Sequence, residues 1–454
     1  MTDIRSRALT AAGYPRGFKW GVSTSSYQIE GGHDADGRLP SIWDTRCRMQ
    51  GKIANGDTGD VACDHYHRYP EDIALMKALG LDVYRFSVAW PRILPKGKGR
   101  VNEKGLDFYD RLIDGVLEAG IEPWLCLYHW DLPQALDDLG GWPARESAGW
   151  FADYAAVCCR RYGDRVKHWA TFNEFAVFTL FGYCIDWSAP GVTDREAHLK
   201  AIHHANLAHG MGVDVIRDLV PGASIGAVHN RQVVWPEKDT DADRRAAALL
   251  DAHWNKAFPD PQLLGHYPDL IAETIAPYVQ AGDMAQICRR IDWFGLNHYG
   301  PIFARDEPTA TWGFHWGAAP DDADKSDIGW PIWPAAFRDE LIDLTRTYKL
   351  PIYVTENGMG GNDKVDDKGE VNDATRIRYL TLYTDAMKEA IAAGADVRGY
   401  YVWSLLDNFE WGTGYQNRFG LVHVDYETLK RTPKASYAWF RDAIAAARKA
   451  EAAV

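Results

Sequence analysis

The chain has no Cys-x-x-Cys pair, no Gly-x-Gly-x-x-Gly fingerprint, no phosphate-binding P-loop and no apolar run approaching a membrane span. Each absence removes a class. Seven cysteines, at 47, 63, 126, 158, 159, 184 and 288, are an odd and scattered number. They indicate neither a zinc ribbon nor a redox pair, and several sit in apolar runs as small core residues. The opening stretch, MTDIRSRALTAAGYPRG, lacks the apolar segment of a secretory signal. A reducing, cytoplasmic setting is the expectation. Positive charge is in short supply: 50 Lys and Arg face 63 Asp and Glu, a net charge of -13. Such a surface repels nucleic acid and anionic membranes, so neither is an expected partner. The His65-x-His67 pair has no companion ligands at a recognisable spacing, so no metal and no cofactor are expected. No repeat, low-complexity tract or Pro/Gly/Ser linker interrupts the chain.

What is there is the composition of a soluble globular protein, 46% hydrophobic and 25% charged. Nineteen tryptophans and 22 tyrosines are consistent with a large core, and equally with flat rings that receive the apolar faces of sugars. Eight short apolar runs recur: 18–25, 83–90, 122–130, 166–174, 224–230, 292–299, 351–358 and 398–407. Amphipathic helical segments lie between them. In 105–120, Leu106, Tyr109, Leu112, Ile113, Val116 and Leu117 fall on one face and Gly120 ends the pattern. Segments 148–163 and 374–394 repeat the logic. Eight strands alternating with helices predict an α/β fold, a (β/α)8 TIM barrel forming one catalytic domain over 1–454. An open doubly wound sheet is the alternative, and it would want the Gly-rich turn that is missing.

In such barrels chemistry sits at the C-terminal ends of the strands. The polar residues there are Gln28, Glu30, Arg85, His129 with Trp130, Asn173 with Glu174, Asn230, Asn297 with Tyr299, Glu356, and Trp403 with Asp407. Glu174 and Glu356 come from the fourth and seventh runs. Two carboxyls facing each other across a mouth suit glycoside hydrolysis, where one protonates the leaving oxygen and the other attacks or activates water. After Glu356, Asn357-Gly358 predicts a sharp turn that holds the acid at the rim.

The stretches FKWGVSTSSYQIEGG, HWDLP, TFNE, VTENG and WSLLDNFEW, in this order, resemble family 1 of the glycoside hydrolases, the β-glucosidases and their relatives. The resemblance runs from about Phe18 to Phe440. It implies a retaining β-glycosidase, most simply a β-glucosidase, that acts on terminal β-D-glucosyl residues through a covalent glycosyl-enzyme. It implies Glu356 as nucleophile and Glu174 as general acid/base. Asn173 would bind the 2-hydroxyl, and Arg85 and Tyr299 would hold Glu356 ionised. Gln28, His129, Glu410 and Trp411 would read the other hydroxyls, with Trp403 as floor, Trp130 and Asn297 among the substrate contacts, and Trp330 on the leaving-group side. The expected partner is a small β-glycoside or oligosaccharide, with room left for a homo-oligomer. Glu410, where phospho-sugar relatives carry serine, suits a neutral 6-hydroxyl. Three departures from the family pattern bear on the leaving group: Phe175 in place of proline, His298 in N-H-Y, and Asp186-Trp187 in the loop G-Y-C-I-D-W-S-A-P-G.

Overall fold

The computed structural model describes residues 9–453, so the first eight residues of the N-terminal stretch read above lie outside it. Eight parallel strands close into a barrel. They are β1 (Lys19–Ser23), β2 (Val83–Ser87), β3 (Glu122–Tyr128), β4 (His168–Asn173), β5 (Ser224–Asn230), β6 (Trp293–Asn297), β7 (Ile352–Asn357) and β8 (Val397–Trp403). Seven fall within the apolar runs, and β8 begins one residue before its run. β1 pairs with both β2 and β8, which closes the ring.

Helices α1 (His65–Leu79), α2 (Glu103–Glu118), α3 (Ser147–Tyr162), α4 (Phe175–Tyr183), α5 (Arg195–Leu219), α6 (Pro334–Tyr348), α7 (Ala374–Ala392) and α8 (Ala435–Ala452) are the main helical segments. Neighbours pack α1 on α2, α2 on α3, α3 on α5, α6 on α7, α7 on α8 and α8 back on α1. In α2 the apolar face is turned slightly from the one expected. Phe108 is fully buried, while Leu117 is 39% exposed near the end of the helix. His203, His204 and His209 are buried on α5, bonded to Asp283 and Tyr267, to the Trp142 carbonyl and to Thr171 respectively. His65 and His67 bond Asp72 and Asp64. Among the described residues no helix is long and apolar enough to cross a membrane.

The lower barrel interior is filled with rings. Trp124 lies 5.0 Å from Trp293, 4.7 Å from Tyr353 and 5.4 Å from Tyr401. Strand glycines make the room for them. A Cβ on Gly226 would stand 2.3 Å from Trp293, and one on Gly399 would stand 2.7 Å from Tyr353. A strand interior normally gains from a side chain, so glycine here marks close approach.

Two small sheets lie beyond the expected barrel. Val234–Pro236, Ile302–Asp306 and Phe314–Trp316 form one, and Val422–Val424 with Arg431–Pro433 the other. Four of these five strands have only three residues, too few for a periodicity to be read from sequence.

Candidate active site

Both candidate glutamates stand at the C-terminal ends of strands whose pairing slips just before them. In β7 the register shifts between Val354 and Glu356 against β6, and in β4 it shifts between Ala170 and Asn173 against β5. Tyr353 packs against the ring cluster of the barrel interior. Strict alternation would then send Glu356 outward. An irregularity of this kind re-aims a side chain, and here it turns the acid into the mouth. Gly358 does not adopt a positive φ, contrary to the expected Asn-Gly turn. Its role is space: a Cβ would stand 1.9 Å from the Trp403 carbonyl oxygen. Asn357 remains in the strand and is held by the His298 carbonyl, Tyr379 and Tyr400.

Glu174 follows β4 and precedes α4 with φ 53° and ψ 65°. A glutamate in the left-handed region is costly by roughly 1–2 kcal/mol and persists where its surroundings over-determine it. Its amide donates to the Val228 carbonyl at 2.9 Å. Trp130 and Trp411, also at the mouth, share the positive φ, at 77° and 51°.

The two carboxyls have different partners. Glu356 Oε1 accepts from Arg85 Nη1 at 2.7 Å, and Oε2 accepts from the Tyr299 hydroxyl at 2.7 Å. Among the described residues Glu174 Oε1 accepts only amide protons, from Asn297 at 2.7 Å and Asn230 at 3.2 Å. Arg85 also donates to Asn173 Oδ1 at 2.6 Å, so one buried guanidinium spans both strands. Burial and then the charge of Glu356 push the Glu174 carboxyl up to about 8, against the pull of the Asn297 bond and Arg85. Burial raises Glu356 as well, but there Arg85 and the Tyr299 hydrogen bond oppose it directly. When the pair holds one proton, that proton sits on Glu174, because the cation is bonded to Glu356. Burial, followed by the two glutamates, keeps the Tyr299 phenol protonated.

Around this pair the structure gathers most of the residues named from sequence. Asn173 Nδ2 bonds His129 Nε2 at 3.1 Å, which leaves the proton on His129 Nδ1, a buried atom with no partner among the described residues. Burial lowers the basicity of this ring, so it is neutral. Gln28 donates to Asn408 Oδ1 at 3.0 Å and the Phe409 carbonyl at 2.9 Å. Trp403 stacks near His129 at 5.8 Å and donates its indole proton to Glu410 at 3.1 Å. Burial pushes Glu410 up to about 8. Trp330 is half-exposed, edge-on to Tyr299 at 5.6 Å.

Some residues serve the site from behind. The Trp130 indole donates to the Asn173 carbonyl at 3.0 Å, and its ring packs 4.6 Å from Trp411. Asn297 is spent on Asn173, Glu174 and Thr355. Both thus orient protein groups with the polar atoms that a sugar would need. Two residues of the expected mouth turn away from it. Glu30 pairs with Arg92 at 3.0 Å and accepts from Tyr109, and Asp407 is held by Lys434 and Arg418 at 2.6 and 2.7 Å. Buried charge is stable only when paired, and each found its cation on another segment. Of the residues not anticipated, Thr355 orients Asn297, and Ser25 donates to Gln28 Oε1 at 2.6 Å. The Ser25–Gln28 spacing of three was the one local signal available.

Desolvated acids, one bound by arginine and one by amides, under a rim of aromatic rings, define a carbohydrate-cleaving barrel. The chain belongs to glycosyl hydrolase family 1, whose model matches residues 10–449. It is 45% identical over 448 residues to a β-glucosidase of Agrobacterium sp., covering 97% of this chain and 96% of that protein. It is 43% identical over 436 residues to a 1,4-β-D-glucan glucohydrolase of Thermotoga neapolitana, covering 95% and 98%. The structure of a β-glucosidase from Thermotoga maritima in complex with glucoimidazole matches with a TM-score of 0.91 at 43% identity, over 97% of this chain and 100% of that one.

Proposed function

We propose that this chain, acting as one catalytic domain, is a retaining β-glucosidase that removes terminal β-D-glucosyl residues from small glycosides and glucan fragments. The observation that carries the roles is the unequal pairing of two buried carboxyls: Arg85 and Tyr299 on Glu356, amides alone on Glu174. Family membership and the names of the relatives support the substrate class.

In the first step a Glu356 oxygen forms a bond to the anomeric carbon as the bond to the leaving oxygen breaks. The proton on Glu174 passes to that oxygen. Arg85 stabilises Glu356 before the attack and is close enough to Asn173 to hold it against the sugar. Once Glu356 is esterified, its charge is gone and the main electrostatic reason for the high basicity of Glu174 goes with it. Glu174 then takes a proton from water, whose oxygen displaces Glu356 with a second inversion. Glu410 and Trp403, already bonded to each other, stand where hydroxyls at the far edge of the ring are read.

The test is turnover of p-nitrophenyl β-D-glucoside followed by proton NMR. Release of β-glucose as the first-formed anomer is expected. First-formed α-glucose, or no turnover of any β-glucoside, would overturn the proposal.

A further inference from the structure

Among the described residues two tryptophans are prominently exposed, Trp187 and Trp330, each at 46%. Trp330 adjoins Tyr299 and belongs to the site already described. Trp187 lies elsewhere on the rim. Its ring packs 5.2 Å from Phe181, 5.2 Å from Trp316 and 5.6 Å from His315. Phe181 is on α4, directly after Glu174, and His315 and Trp316 are on the strand Phe314–Trp316 that follows β6. A third loop, after β1, supplies Arg46 and Lys52, which both hold Asp186. Arg46 donates to the Asp186 carboxylate and to its backbone carbonyl, each at 2.8 Å. Asp186 has φ 55°, a conformation that a side chain rarely adopts without such a clasp.

All three loops leave the C-terminal ends of strands, so Trp187 is on the face where the two carboxyls open. An isolated surface tryptophan needs no explanation. This one is anchored on both sides, with one part of its ring left open. Phe181 is seven residues beyond Glu174, roughly 10 Å along a helix that rises 1.5 Å per residue. Trp187 is one ring contact further out. That is beyond the sugar joined directly to the scissile oxygen and within reach of a later one. A fixed indole face beside a histidine and the Asp186–Lys52 pair offers an apolar surface and hydrogen-bonding groups, the combination that recognises a pyranose.

We propose that Trp187, held by the Arg46–Asp186–Lys52 clasp, is a stacking platform for an outer glucose unit of an oligosaccharide leaving group. The proposal rests on the β-glucosidase reading and narrows it to substrates longer than a disaccharide. The readout is the ratio of kcat/KM for cellotetraose to that for cellobiose. In Trp187→Ala this ratio should fall roughly three- to tenfold, the size of one aromatic contact. Trp187→Phe should keep most of it. An unchanged ratio in Trp187→Ala, whether both rates hold or both drop, would overturn the platform.

Calorimetry in the Glu174→Ala background separates this from the activity itself. Cellotetraose should bind more tightly than cellobiose, and adding Trp187→Ala should erase the difference. Equal affinities before that substitution would refute the outer site whatever the chain hydrolyses. Conversely, a wild-type chain that turns over no β-glucoside but keeps the length-dependent affinity would fail only the activity.

Discussion

In the lower barrel, Trp124, Trp293, Tyr353 and Tyr401 pack the interior with rings. Further toward the C-terminal ends of β2, β4, β6 and β7 the interior holds Arg85, Asn173, Asn297 and Glu356, joined by hydrogen bonds. On β2 the change takes two residues, from Val83 to Arg85, and on β6 four, from Trp293 to Asn297. Both ends are buried. At the lower end burial is favourable by itself, because apolar area leaves water. At the upper end burial costs solvation, and the cost is met only because every charge has a partner. The lower end therefore stabilises, and the upper end holds groups whose protonation burial has moved.

The strongest way to break that comparison is at the upper end. Glu356→Ala should lower kcat on the order of 10⁴–10⁶-fold, as loss of a nucleophile does elsewhere, with the fold intact by circular dichroism. A modest loss would remove Glu356 from the centre of the chemistry. Glu174→Ala should cost roughly 10²–10⁴-fold on alkyl glucosides and far less on dinitrophenyl glucoside, whose leaving group needs no proton. Equal losses on both would deny the acid role.

Glu410→Ser should lower kcat/KM for β-glucosides by about 1–3 kcal/mol and for β-xylosides by less, since a xyloside has no 6-hydroxymethyl group. The expectation is modest because burial already favours the neutral acid at residue 410 in the free site. Equal effects on the two sugars would make Glu410 a loop anchor.

The protonation states sharpen the contrast further. With Glu174 raised to about 8 by burial and by Glu356, kcat/KM should fall as pH rises through that region, because the proton needed by the leaving group is lost. Replacing Glu356 by Gln removes the second cause. Carboxyl NMR should then place the Glu174 titration below about 8. An upward movement would contradict the assigned cause.

The smallest effect on catalysis should come from the lower end. Gly226→Ala brings a methyl group against Trp293 and should destabilise the fold by about 1–3 kcal/mol, read in thermal unfolding. The leaving-group dependence of the folded enzyme should stay as it was. If it moved, the two ends would not be separable.

Much of this was legible residue by residue. Eight runs of strand character, separated by helical periodicity, are local patterns, and all eight appear as barrel strands. The motifs around Glu174 and Glu356 are contiguous and carry their meaning in a few residues. The same local view misjudged Leu117, Glu30, Asp407 and Gly358, because each depends on what another segment places beside it. Arg92 and Lys434 are far from Glu30 and Asp407 along the chain, and nothing at either position announces its partner.

Periodicity and motif content thus sufficed for the strands, their order and the two acids, since both follow from short-range side-chain patterns. Which acid keeps the proton was implied by the family resemblance alone, and its physical cause did not follow from local pattern. It depends on one guanidinium from β2 reaching Glu356 and not Glu174, on amides from β5 and β6 reaching Glu174, and on the slip in β7 that turns residue 356 inward. Those are distances between segments remote in sequence, and they exist only once the barrel has closed.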